Sequence, residues 1–205
     1  MRDMKRIGIF GGSFNPVHLG HTALAAYICD QGLVDDVWMM VSPQNPLKQN
    51  LALLDEEHRL AMLKLAVAPY PTLQACDFEF HLPRPSYTYH TLQALRKAYP
   101  DYEFSLIIGE DNWQHFDRWY RSMEILSETP IIVYPRDSVE NLDLSMERKE
   151  QLSTVNSQPT ILENPPLFPF SSTEVRNALA TGSDVSHMLH PDVAAYIHRY
   201  KLYTL

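Results

Sequence analysis

Short apolar runs separated by helical patterns set the rhythm of the chain. Arg6-Ile7-Gly8-Ile9-Phe10 reads as a buried strand, and Gly11-Gly12-Ser13 reads as its stop. Behind Asn15-Pro16, Leu19, Ala23, Ala26 and Tyr27 recur at helical spacing and predict one apolar face. Val37 to Val41 predicts a second strand, followed by the Pro-rich loop Ser42 to Lys48. Asp55 to Ala68 predicts a helix whose Leu60, Leu63, Leu65 and Val67 supply apolar surface, and Leu73 to Phe80 a further strand. A helix is expected over Ser86 to Ala98, ending ahead of Pro100, then a strand over Phe104 to Ile108 ended by Gly109. Ser122 to Leu126 reads as helical, Ile131 to Tyr134 as a strand closed by Pro135, and Thr160 to Leu162 as a last short strand. Within the polar stretch Asp137 to Gln158, Met146 to Leu152 has a helical pattern. The final helix is expected over Asp192 to Tyr203, with Val193, Ile197 and Tyr200 on one face.

Strands alternating with helices predict an α/β fold: a Rossmann-like, doubly wound parallel sheet with helices on both faces and a small C-terminal helical extension. A single domain over 1–205 is expected, with a dinucleotide-fold core at 1–165 and the helical part at 166–205. In such a sheet the ligand crevice lies beyond the carboxyl ends of the strands. A formal charge of −8 argues against a nucleic-acid binder, which would show a basic face, but leaves small phosphorylated ligands open. Cys29 and Cys76 show no metal-ligand spacing, which favours a reducing compartment. The apolar run Ile7 to Phe10 is too short for a signal peptide and no stretch reaches membrane-spanning length, so a cytoplasmic protein without a membrane partner is expected.

The chemistry concentrates in Gly11-Gly12-Ser13-Phe14-Asn15-Pro16-Val17-His18-Leu19-Gly20-His21. Glycines after a strand let the main chain approach a ligand, and a helix start offers free N–H groups and a positive dipole end to an anion. His18 and His21 share the first turn, so both imidazoles can face the same phosphate oxygens, and Gly20 is expected to leave room for a bulky ligand. The same pair would also suit half of a metal site, or be incidental to an ordinary βα turn. In Pro43-Gln44-Asn45-Pro46-Leu47-Lys48, prolines stiffen a loop that can hold Lys48 toward the crevice as a point charge. Ser171-Ser172-Thr173-Glu174-Val175-Arg176 fits a capping box; its helix start is a second expected anion site, and Arg176 can clamp phosphates with its donor fork.

The first of these segments resembles the GxFxPxHxGH pattern of the HxGH-motif nucleotidyltransferase superfamily. Others narrow the resemblance to bacterial nicotinate mononucleotide adenylyltransferases. Pro43 to Lys48 is similar to their proline-rich, Lys-containing loop, with Leu47 where the family commonly has His. Ser171 to Arg176 is close to ISSTxIR, and Pro85-Ser86-Tyr87-Thr88-Tyr89-His90-Thr91-Leu92 resembles PSYTxDTL, with His90 in place of the acid. Ile107 to Asp111 followed by Phe116 to Tyr120 resembles IIGxD…FxxW, and Val193 to Tyr203 the family's closing helix. The likeness fades over Asp137 to Gln158.

What the resemblance implies is transfer of AMP from ATP to nicotinate mononucleotide, giving deamido-NAD and pyrophosphate by in-line attack of the mononucleotide phosphate on the ATP α-phosphorus. Such transfer needs positioning and electrostatics rather than a protein nucleophile. The implied catalytic residues are His18, His21, Lys48 and Arg176. ATP would be held by Gly11, Gly12, Ser13, Phe14, Gly109, Asp111, Ser171 and Ser172, with Asp111 placed for a ribose. The mononucleotide would meet Asn15, Thr88, Trp119 and Tyr120, with Trp119 offering a flat face to the pyridine ring and Thr88 with nearby N–H groups receiving its carboxylate. Mg²⁺ would arrive with ATP rather than on protein side chains. Pantetheine-phosphate and nicotinamide mononucleotide stay open as acceptors, as do a catalytically silent nucleotide-binding module and a homo-oligomer.

Overall fold

Along the strand Lys5–Gly12 (β1), successive side chains leave on opposite faces, and both faces are buried: Ile7 and Ile9 on one, Phe10 on the other. The computed structural model describes residues 4–43, 53–135 and 158–204. Among these, β1 pairs in parallel with Asp36–Val41 (β2) and Tyr102–Gly109 (β4); Leu73–Cys76 (β3), Ile131–Tyr134 (β5) and Thr160–Ile161 (β6) complete one sheet in the order β3-β2-β1-β4-β5-β6. The helices are Leu19–Asp30 (α1), Glu56–Val67 (α2), Thr88–Ala98 (α3), Glu110–Gln114 (α4), Ser122–Glu128 (α5), Ser172–Ala180 (α6) and Pro191–Tyr200 (α7).

The near-continuous apolar runs of β1, β2 and β4 have the cause that parallel sheets give them, burial on both faces. Phe10, Met39, Ile107 and Ile132 pack with Leu24 and Ile28 of α1, Leu60 and Leu63 of α2, Val175 of α6, and Val193 and Ile197 of α7. Ile9, Trp38, Met40, Leu106 and Ile108 form the opposite core with Leu92 and Leu95 of α3, Trp113 and Ile125. Each such aliphatic side chain contributes about 1.5–3 kcal/mol on burial. The strand order reverses between β1 and β4, so a crevice opens where their carboxyl ends part. No helix among the described residues is long and apolar enough to cross a membrane.

Several local expectations change. Gly11 and Gly12 do not stop β1; they pair with Met40 and Val41, because β2 continues to offer a ladder there. The buried side of α1 is Thr22, Leu24, Ala25 and Ile28 rather than the Leu19, Ala23, Ala26 and Tyr27 face, since this helix is apolar nearly all round and its period cannot choose a side. The segment after Cys76 leaves the sheet for a 3-10 turn over Phe78–His81, where Glu79 is buried. The last helix ends at Tyr200, itself 47% exposed, because Lys201 turns left-handed at φ 52° and sends Leu202 into the core. Residues 137–157, with the helix expected at Met146 to Leu152, lie outside the described residues.

Candidate active site

At the carboxyl ends of β1 and β4 lies a cleft of about 820 Å³. Its floor is β1 running into α1. Phe14 sits at φ 44°, a left-handed conformation that costs a bulky residue on the order of 1–2 kcal/mol. Gly12 explains how this is accommodated: a Cβ there would come 3.0 Å from the Phe14 ring, which fills that space and is itself buried. Gly11, by contrast, would meet nothing within 4 Å, so its backbone is open to the cleft it lines.

His18 caps α1 and His21 is its third residue. The rings lie with centroids 3.6 Å apart and planes tilted by 30°, and Phe14 and Phe10 border His21 at 5.1 and 6.2 Å. The His18 N–H donates to His21 Nδ1 at 3.2 Å. A ring nitrogen that accepts does not carry the proton, so in the neutral ring the His21 donor is Nε2. Gly20 lines the cleft and also makes room for this pair: a Cβ would lie 3.1 Å from His18 Nδ1 and 3.2 Å from the Phe168 Cβ.

Two buried residues hold the floor in place: Arg59, which sequence reading missed, and Asn15, which it marked for the mononucleotide. Arg59 of α2, only 1% exposed, donates Nη1 to Ser13 O at 2.6 Å and Ser42 O at 2.9 Å, Nη2 to Pro43 O at 3.1 Å and Nε to Leu54 O at 2.8 Å. Burial lowers its pKa from the ordinary guanidinium value, yet arginine remains charged. It thus places a positive charge, satisfied only by carbonyls among these bonds, behind the turn after β1. Asn15, 3% exposed, accepts at Oδ1 from Tyr203 O–H at 2.7 Å and Leu54 N–H at 3.3 Å. The chain end is therefore latched to the same turn, and burial raises the Tyr203 phenol above its usual pKa.

Across the cleft, α6 begins at Ser171. The Ser171 N–H donates to Glu174 Oε2 at 2.6 Å, and the Glu174 N–H to Ser171 Oγ at 3.4 Å. At the helix start expected as a second anion site, the N–H groups of Ser171 and Glu174 are thus met from within. Ser172 Oγ donates to Pro16 O at 2.9 Å, and Arg176 Nη1 to Asn15 O at 2.7 Å and Ser172 O at 3.2 Å. Arg176 Nη2 also donates to Thr173 Oγ1 at 3.1 Å. These bonds stitch α6 to the turn that carries the imidazoles while leaving Arg176 on the cleft lining.

The remaining wall comes from the start of α3 and the segment after α4. Tyr87 caps α3 with no side-chain hydrogen bond, so the first N–H groups of this 11-residue helix have no side-chain cap. Tyr87 and Tyr120 stand 5.1 Å apart, and His90 is 5.2 Å from Tyr120. Trp119 is half-buried, and its Nε1 is buried with no hydrogen-bond partner among the described residues. Glu79, also unmarked by sequence reading, is 8% exposed and accepts from Thr91 Oγ1 at 2.9 Å and Ser86 Oγ at 3.4 Å. Burial pushes its carboxyl above the usual range, and the hydroxyl donors of Thr91, Ser42 and Ser86 pull the other way.

Gly11, Gly12, Ser13, Phe14, Asn15, His18, His21, Thr88, Gly109, Trp119, Tyr120, Ser171, Ser172 and Arg176 all line this one cleft. Asp111 does not: its Oδ1 is turned back over Gly109, where a Cβ would meet it at 2.5 Å, and Asn112 lines the cleft instead. Lys48 lies outside the described residues.

The family model for cytidylyltransferase-like proteins matches residues 9–178. A Bacteroides fragilis protein named "Probable nicotinate-nucleotide adenylyltransferase" is 48% identical over 188 residues, covering 92% of this chain and 89% of the relative. A protein of the same name from Bacteroides thetaiotaomicron is 48% identical over 195 residues, covering 95% and 92%. Among solved structures, the Plasmodium falciparum nicotinic acid mononucleotide adenylyltransferase complexed with NaAD superposes with a TM-score of 0.77 over 97% of both chains at 22% identity, which speaks to the fold. A strand–turn–helix with paired imidazoles at the switch point of the sheet, matched along nearly its whole length by such relatives, places this chain in the cytidylyltransferase-like family, among the nicotinate-nucleotide adenylyltransferases.

Proposed function

We propose that the cleft transfers the adenylyl group of ATP to nicotinate mononucleotide, releasing pyrophosphate and forming deamido-NAD. The observation that carries the reading is the close imidazole pair at the start of α1, with no acidic residue in that first turn to compete with an incoming phosphate. The mononucleotide phosphate oxygen attacks the α-phosphorus in line, the bond to the bridging oxygen breaks, and pyrophosphate leaves with that electron pair. His18, His21 and Arg176 supply donors where negative charge builds, and Lys48 is assigned the same role. The Gly11–Phe14 backbone, Gly109, Ser171 and Ser172 form the ATP side. The donor set at this end, imidazole and guanidinium, suits phosphate oxygens, and the Mg²⁺ of the nucleotide, carried by the triphosphate, supplies charge neutralisation when bound.

On the other wall, the start of α3 at Thr88 offers N–H donors and a positive dipole end, which favour an acid over an amide on the ring. Trp119 and Tyr120 give that ring aromatic faces, and Asn15 borders the mononucleotide from the turn. The test is pyrophosphate release with ATP and, in turn, nicotinate mononucleotide, nicotinamide mononucleotide and phosphopantetheine. The expected result is fastest turnover with the nicotinate form. Faster turnover of another acceptor overturns the substrate assignment, and ATP binding without turnover on any acceptor overturns the reaction.

A further inference from the structure

We propose that Glu79 is a positioning residue for the acceptor: its carboxylate holds the Ser86–Thr91 segment so that the start of α3 meets the cleft in the geometry that binds the mononucleotide ring. This rests on the proposed function and deepens it. Glu79 stands on the 3-10 turn after β3, buried yet on the cleft lining. Its two oxygens divide their partners, Oε1 taking Thr91 Oγ1 at 2.9 Å and Oε2 taking Ser86 Oγ at 3.4 Å. Both hydroxyl residues are buried as well, Ser86 at 8% and Thr91 at 2% exposed. They bracket Tyr87 and Thr88, the cap and first residue of α3, so one carboxylate grips the helix start from both sides.

The grip reaches further back. Ser42 lies beside this group: its hydroxyl favours the Glu79 carboxylate, and its carbonyl accepts from Arg59, which holds Ser13 as well. Polar contacts thus run from the phosphate turn through Arg59 to Ser42, next to the Glu79 carboxylate that holds Thr91 and Ser86. No ion pair to Glu79 occurs among the described residues. A buried carboxylate bonded only to hydroxyls is a costly way to fill space, and a well-packed apolar side chain would serve a merely structural role. What the carboxylate adds is a fixed orientation of the hydroxyls, and through them of the N–H groups aimed at the ring substituent.

The experiment compares Glu79→Gln, Thr91→Val and Thr91→Ser with the wild type, measuring kcat and the two KM values separately, with calorimetric binding of nicotinate mononucleotide alongside. Glu79→Gln cannot accept from both hydroxyls through two equivalent oxygens, and Thr91→Val removes one donor. Each should raise the mononucleotide KM and Kd about tenfold, the scale of one lost bond to a charged group, with the ATP KM within about twofold. Thr91→Ser keeps the hydroxyl and should restore wild-type values. Equal increases in both KM values, no increase in either, or failure of Thr91→Ser to rescue overturns the proposal. Should Glu79→Gln not fold, the Thr91 pair decides by the same criteria. Wild-type protein that does not turn over the mononucleotide overturns the proposed function and this inference with it, whereas a wild type that does so beside insensitive variants overturns the inference alone.

Discussion

Two of the helices that open onto the cleft, α1 and α6, begin with the same reciprocal cap built from different side chains. In α6 the cap is Ser171 with Glu174, and the carboxylate sits on the Ser171 N–H at 2.6 Å. In α1 it is His18 with His21, and the neutral Nδ1 of His21 takes the His18 N–H at 3.2 Å. A carboxylate satisfies both the Ser171 N–H and the positive end of the helix dipole, so α6 meets a nucleotide through the residues that line the cleft, Ser171, Ser172 and Arg176, rather than through its dipole. An imidazole satisfies the donor and leaves the dipole end without a negative charge, with its Nε2–H as a further donor. The lesson is that capping geometry can be shared while the charge of the cap decides whether a helix start is a joint or a seat for an anion.

That difference can be broken by experiment. The largest effect is expected for His21→Ala, which should lower turnover about a hundredfold or more, the scale of one oriented transition-state donor. Steady-state kinetics on folded protein check it, and unchanged turnover would remove the seat from α1. Next comes Arg176→Lys, which keeps the charge but not the fork that reaches Asn15 O and Ser172 O. Turnover should fall about tenfold, as for one charge-assisted bond, and wild-type turnover would mean that charge alone suffices.

Gly20→Ala is expected to act more gently, because the His18 ring must give by a few tenths of an ångström. Turnover should drop about fivefold while the thermal midpoint moves by only a few degrees, since alanine's helix propensity gains about 1 kcal/mol against the displaced contacts. A large loss of Tm with normal turnover would contradict the role given to this glycine. Smallest is Glu174→Gln, which should cost ~0.5–1 kcal/mol in denaturant unfolding with the ATP KM within about twofold. A fall in that KM of about tenfold would show that the α6 start seats phosphate after all, and the two helices would cease to differ.

Much of the fold was readable from local pattern. The strands at Val37 to Val41, Phe104 to Ile108 and Ile131 to Tyr134 stand where apolar runs between turn signals put them, and the histidine turn stands at the end of β1. What escaped was non-local. Arg59, in the charged stretch Glu56-Glu57-His58-Arg59, looks like a solvated cation, yet its acceptor Ser13 is 46 positions away. Glu79 lay inside an expected strand, and only the arrival of α3 gives it Thr91. The bond from Tyr203 to Asn15 spans 188 positions.

The sequence alone determined the alternation that makes a parallel sheet, the glycines that admit a buried Phe14 and open the β1 backbone, and the imidazole pair at the start of α1. These are consequences of side-chain size, backbone freedom and period, which act within a few residues. Only the tertiary structure decided which side of α1 is buried, that the space at Gly20 is bounded by His18 and Phe168, and that Glu79 and Arg59 are drawn behind the cleft. Those outcomes depend on which distant segments are packed together, because a buried polar group must find its partner wherever the chain brings one.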